Sequence, residues 1–97
     1  MIIETQYESG DTVSIKLSSG EEMVARFDKQ DETVTVVKKP LMLIPTPDGK
    51  MGLAPFMFTV DQNSKFTILS NNIICIVKTE KAAADLYVAN TSQIVTS

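Results

Sequence analysis

The chain contains no histidine and no tryptophan, and it has a single cysteine among 97 residues. Without histidine, the side chain that most often serves as general base near neutral pH, and often as metal ligand, is missing. One cysteine excludes an intramolecular disulfide. Long apolar runs are missing too. The longest, residues 41–44 and 73–77, are strand-length and far too short to cross a bilayer. Residues 1–7 carry no basic segment followed by an apolar one, so no secretory signal is expected there. Positive charge is not in excess either: nine Lys and Arg stand against twelve Asp and Glu, a net charge of −3. Binding to nucleic acid through bulk phosphate neutralisation calls for the opposite sign. Any such binding must therefore come from local geometry. Together these absences lead to the expectation of a cytoplasmic, non-enzymatic protein with no cofactor, no metal and no membrane partner.

What is present is a set of strand patterns. At 97 residues, 43% of them hydrophobic, the chain has room for one domain with one modest core. A domain of this size buries roughly 60–65% of the surface its unfolded chain exposes. Val13, Ile15 and Leu17, then Met23, Ala25 and Phe27, alternate with polar residues on either side of Gly20. Period-2 alternation across a glycine turn predicts an antiparallel hairpin with one buried face. A charged turn over residues 28–32 leads into a third strand from Thr33, in which Pro40 marks a bulge or an edge. Residues 45–50, Pro-Thr-Pro-Asp-Gly-Lys, are the strongest turn signal in the chain. Residues 51–60 read as another strand, interrupted at Pro55, with Phe56 and Phe58 on one face. Residues 66–69 and 73–78 read as two short strands joined at Ser70, Asn71 and Asn72. In the last of these, Cys75 reads as a small core hydrophobe. Thr79 is the expected cap of a helix over about residues 80–89, with Ala82, Ala83, Leu86 and Tyr87 on its apolar face and fraying beyond Asn90.

Leu17, Gly20, Met23, Phe27, Asp31, Val34 and Val36 fall on the spacing of the first sequence motif of the Sm-like (LSm/Hfq) family, which this segment resembles. Ala25 stands where that motif has its second glycine, and Thr35 where it has asparagine. Residues 66–76 match the outline of the second motif, with Leu69-Ser70 in place of Arg-Gly. The resemblance covers a little under half the chain, about residues 12–38 and 65–78. It implies a mainly β fold: a small, strongly bent, five-stranded antiparallel barrel of SH3-like form, with a core over about residues 12–78. Two features depart from the family. Residues 41–64 are long enough to extend the hairpin between the third and fourth strands, and the one good helix follows the last strand instead of preceding the first.

The resemblance also implies assembly. In the family, the fourth strand of one subunit pairs with the fifth strand of the next. Those positions here are Phe66 and Ile68 on one side and Ile73, Ile74, Cys75, Ile76 and Val77 on the other. The partner implied is a second copy of the chain, in a homo-oligomeric ring of about five to seven subunits closed by a head-to-tail contact. Within a single subunit, the helix or the leader could cover the last strand instead.

The family's base pocket needs a stacking side chain at the position of Thr33, an amide at Thr35 and a guanidinium at Leu69. Stacking contributes roughly 1–3 kcal/mol per base, which Thr33 and Leu69 do not supply in full. Thr35 keeps a hydroxyl but lacks an amide's paired donor and acceptor. Asp31 is retained and orders the loop in the family, while Ser70, Asn71 and Asn72 offer polar groups at the same rim. Three expectations stay open on the sequence: a ring that binds single-stranded RNA through a divergent uridine pocket, a scaffolding ring that engages protein partners, and a monomeric SH3-type barrel.

Overall fold

The computed structural model describes residues 6–94, with side chains up to Thr91. Six strands and one helix follow in order: β1 Thr12–Leu17, β2 Glu22–Gln30, β3 Val34–Pro45, β4 Met51–Pro55, β5 Lys65–Leu69, β6 Ile73–Lys78 and α1 Lys81–Ile94. A 3-10 turn, Ser70–Asn72, links β5 to β6. All strand pairs are antiparallel. The hydrogen-bonded order is β4-β3-β2-β1-β6, and β5 pairs with β3.

The glycine-centred hairpin forms as its alternation predicts. Gly20 takes φ +101°, a conformation that costs a residue with a Cβ far more than it costs glycine. Every inward residue of that pattern is buried: Val13, Ile15, Leu17, Met23, Ala25 and Phe27 join Val37, Met42, Phe66 and Ile68 in one cluster. That cluster brings β5 side chains against β1, although β3 and β2 stand between them in the hydrogen-bonded order. The sheet therefore curls on itself, helped by β2, whose pairing with β3 shifts register after Val24 and again after Phe27.

β3 changes neighbour along its length. Residues Val34 to Lys38 pair with β5, and Leu41 to Pro45 pair with β4. The switch falls at Lys39, which is held at φ +49°, and at Pro40, which is buried and donates no ladder hydrogen bond. β3 thus runs on through the proline as one bent strand, and the β3–β4 hairpin extends beyond the β5 pairing.

Several expectations are corrected. The fourth strand stops at Pro55, not residue 60. Phe56 packs against the core while Phe58 is 77% exposed, so the two do not share a face. Cys75 is exposed, because β6 is an edge strand and its outward positions meet no other layer. The helix continues to Ile94 past Asn90, whose amide donates to Leu86 O at 2.8 Å. Residues 95–97 of the expected frayed tail lie outside the described residues, as do residues 1–5 of the leader. Thr79 serves the sheet: its N–H donates to Thr12 O at 3.0 Å and its hydroxyl lies 2.9 Å from Ser14 Oγ. The buried side of α1 is Tyr87 and Thr91, with Leu86 facing out. Tyr87 caps a second cluster, Val24 and Leu41 with Leu43 and Leu53, on the outer face of the sheet.

Candidate nucleic-acid interface

The turn between β2 and β3 is built around one carboxylate. Asp31 Oδ1 accepts hydrogen bonds from Thr33 N at 2.8 Å, Val34 N at 2.9 Å and Thr33 Oγ1 at 3.0 Å. Asp31 N–H donates to Val34 O at 2.9 Å and closes the turn. The amides of Val34 and Thr33, with the Thr33 hydroxyl, hold the Asp31 carboxyl below the usual carboxylate range. Asp31 is thus occupied in shaping the loop, the ordering role that the resemblance implies.

The 3-10 turn is tied to the same loop. Ser70 N–H donates to Thr33 O at 2.8 Å, and Ser70 Oγ lies 3.4 Å from Thr35 Oγ1. At its other end, Ser18 N–H donates to Asn72 O at 2.7 Å. Asp31, Thr33, Thr35 and Ser70 therefore form one rim. Leu69 joins it as the strand partner of Val34, with its side chain exposed. Asn71 and Asn72 are exposed beyond Ser70, nearer the β1–β2 turn. Thr35 is fully buried, so its hydroxyl serves neighbours inside the protein, while the exposed Thr33 presents its side chain at the surface.

Two residues at this rim escaped the sequence reading. Gln30, the strand partner of Thr35, is exposed, and its Nε2 donates to Thr35 Oγ1 at 3.4 Å. Its Oε1 accepts from the Tyr7 hydroxyl at 2.6 Å. The Tyr7 ring meets Phe27 edge-on, with centroids 4.7 Å apart at 74°. Position beside Asp31 was the only signal for Gln30. Tyr7 gave none, because its contact spans 23 residues of sequence.

The residues expected at a subunit contact divide into two groups. Phe66 and Ile68 point into the protein's own core, so β5 offers its backbone edge and not these side chains. On β6, Ile73 and Ile76 lean on the core, whereas Ile74 and Val77 are 64% and 55% exposed, with Cys75 exposed between them. Among the described residues, β5 pairs only with β3 and β6 only with β1, leaving one free edge on each. Beside the β5 edge lies an open hollow of about 260 Å³ lined by Phe56, Met57, Val60 and Phe66.

Two ion pairs lie at the far ends of β5 and β6 from this rim. Lys65 Nζ lies 3.3 Å from Asp28, and Lys78 Nζ 3.8 Å from Asp11. Among the described residues, no three His, Cys, Asp or Glu side chains gather as a metal site would require, and no helix is long and apolar enough to cross a membrane. No protein-family model matches the chain, and no curated protein matches it.

Proposed function

We propose that this chain is an Sm-like module that assembles head to tail into a homo-oligomeric ring and binds single-stranded RNA at the rim formed by Asp31, Thr33, Leu69 and Ser70. The observation that carries the reading is the pair of free edges. β5 and β6 are joined by three residues, yet each leaves its outer edge unpaired. Ile74 and Val77 are exposed on one edge strand, and a hollow lined by Phe56, Met57 and Val60 together with Ser64, Lys65 and Thr67 lies along the other. An exposed apolar edge strand is an aggregation hazard unless something covers it. Pairing β5 of one copy with β6 of the next covers one edge of each chain per contact, and a head-to-tail contact of this kind closes into a ring, with every edge covered, when the rotation permits.

Multi-angle light scattering, read with the ratio of nucleic-acid to protein absorbance, tests the assembly. A mass several times 10.6 kDa is expected. A mass equal to one chain would overturn the ring in favour of the monomeric barrel. Binding of labelled uridine-rich and adenine-rich oligomers at low salt tests the RNA reading, and its absence there would reject it.

A scaffolding ring is the second reading. It is favoured by buried Thr35, by Leu69 where a guanidinium would stack and by the net negative charge. On this reading protein partners dock on the extension over residues 41–64. Deleting that extension without loss of partner binding would end it.

A further inference from the structure

Across the mouth of the curled sheet runs a line of polar side chains: Tyr7, Gln30, Thr35 and Ser70. An exposed glutamine is ordinarily free to turn, since its amide satisfies itself with water. Gln30 is exposed yet held at both ends of its amide. Oε1 accepts from the Tyr7 hydroxyl at 2.6 Å, and Nε2 approaches Thr35 Oγ1 at 3.4 Å. The Tyr7 hydroxyl is itself anchored, because its ring packs edge-on against Phe27 in the core cluster. Ser70 Oγ, 3.4 Å from Thr35 Oγ1, joins this line to the loop held by Asp31.

We propose that Gln30 is the base-reading amide of this surface, oriented by Tyr7, and that it takes over the edge recognition that Thr35 cannot perform from its buried position. The inference rests on the RNA-binding reading above. A primary amide has two N–H groups and two carbonyl lone pairs. Here one of each is engaged within the protein, which leaves one donor and one acceptor for a ligand. Such a pair complements a nucleobase edge that offers an acceptor beside a donor, as each of the four bases does in its own order, so the fixed orientation of the amide sets which base is preferred. The ligand is thus a splayed base of single-stranded RNA, met by an amide whose orientation is set before binding. Preorganisation of this kind lowers the ordering cost of association.

The test measures anisotropy with labelled uridine-rich, adenine-rich and cytidine-rich oligomers at low salt. It compares the full chain with Gln30→Ala and Tyr7→Phe, the latter removing only the orienting hydroxyl. Gln30→Ala is expected to weaken the preferred oligomer roughly tenfold and to flatten the ratio between oligomers, as loss of a hydrogen bond to a base does. Tyr7→Phe is expected to lower affinity by a smaller factor and to reduce the same ratio. A purely structural role for Gln30 would weaken all oligomers alike or none. An unchanged ratio in Gln30→Ala, with the parent protein binding, therefore overturns this inference and leaves the RNA reading standing. No binding by the parent protein overturns the RNA reading and this inference with it.

Discussion

The Tyr87 hydroxyl donates a 2.6 Å hydrogen bond to the carbonyl of Lys39, the one non-glycine residue with positive φ among those described. Helix α1 is thereby fastened to the point where β3 bends and exchanges β5 for β4 as its neighbour. Tyr87 is 1% exposed, so this carbonyl has little access to water and depends on the phenol for its partner. Tyr87→Phe is expected to cost about 1–2 kcal/mol, and Tyr87→Ala about 3–5 kcal/mol through the added cavity. Urea denaturation would read both as a lower midpoint at unchanged slope. Lys39→Gly is expected to act in the opposite direction, gaining up to about 1 kcal/mol as the left-handed strain is released.

Tyr87 also predicts an alkaline limit to stability. Burial pushes its phenol up to about 12. The folded chain therefore keeps this proton over a pH range in which the unfolded chain, near pH 10, has begun to lose it. Between those values the folded state binds more protons than the unfolded state, so stability falls as pH rises. The contribution is complete below about pH 10 and lost as pH climbs towards about 12. Denaturation midpoints measured across that window should drop in the parent protein. The drop should be smaller in Tyr87→Phe, which has no phenol at that site.

At the opposite end of the pH scale, Asp31 governs the rim loop. Its pKa is lowered by the amides of Val34 and Thr33, so the carboxylate form favours the folded turn. That stabilisation is present above the ordinary carboxylate pKa and is lost as pH falls through the lower folded value. The amide resonances of Thr33 and Val34 should titrate together in that acid range. Asp31→Ala should remove the titration and lower the melting temperature. Persistence of the titration in Asp31→Ala would assign it to another group.

Residues 12–30 were legible because every signal in them is local. Alternation gives the buried face, glycine gives the turn, and both are read within a few positions. The bulge expected at Pro40 is present, since pairing with β2 shifts register between Leu41 and Lys38, but the change of neighbour there was not legible, because β5 lies some 25 residues away in sequence. The helix face was misread for a related reason. Of the expected face of Ala82, Ala83, Leu86 and Tyr87, only Tyr87 is buried, because the contact is decided by its hydroxyl, which finds a carbonyl 48 residues earlier. Cys75 looked like core because its neighbours are apolar. Its exposure follows from edge position, a property of topology and not of composition. At the rim, Asp31 was legible from motif spacing, whereas Gln30 and Tyr7 act through a pairing that no short window contains.

The free edge of β6 yields the sharpest prediction about assembly. Ile74 and Val77 are the exposed apolar residues of that strand, and neither belongs to the core clusters. The double substitution Ile74→Lys with Val77→Lys should therefore leave the fold of a single chain intact, as judged by circular dichroism. Exposed substitutions away from packing features commonly change stability by no more than about 0.5 kcal/mol. A lysine on a free edge opposes strand-to-strand association, because the charge must be desolvated as the edge is covered. The double variant is expected to fall to a mass near 10.6 kDa in light scattering, while the parent protein gives the assembly's mass. Retention of the larger mass would move the subunit contact away from β6, with the extension over residues 41–64 as the next surface to substitute.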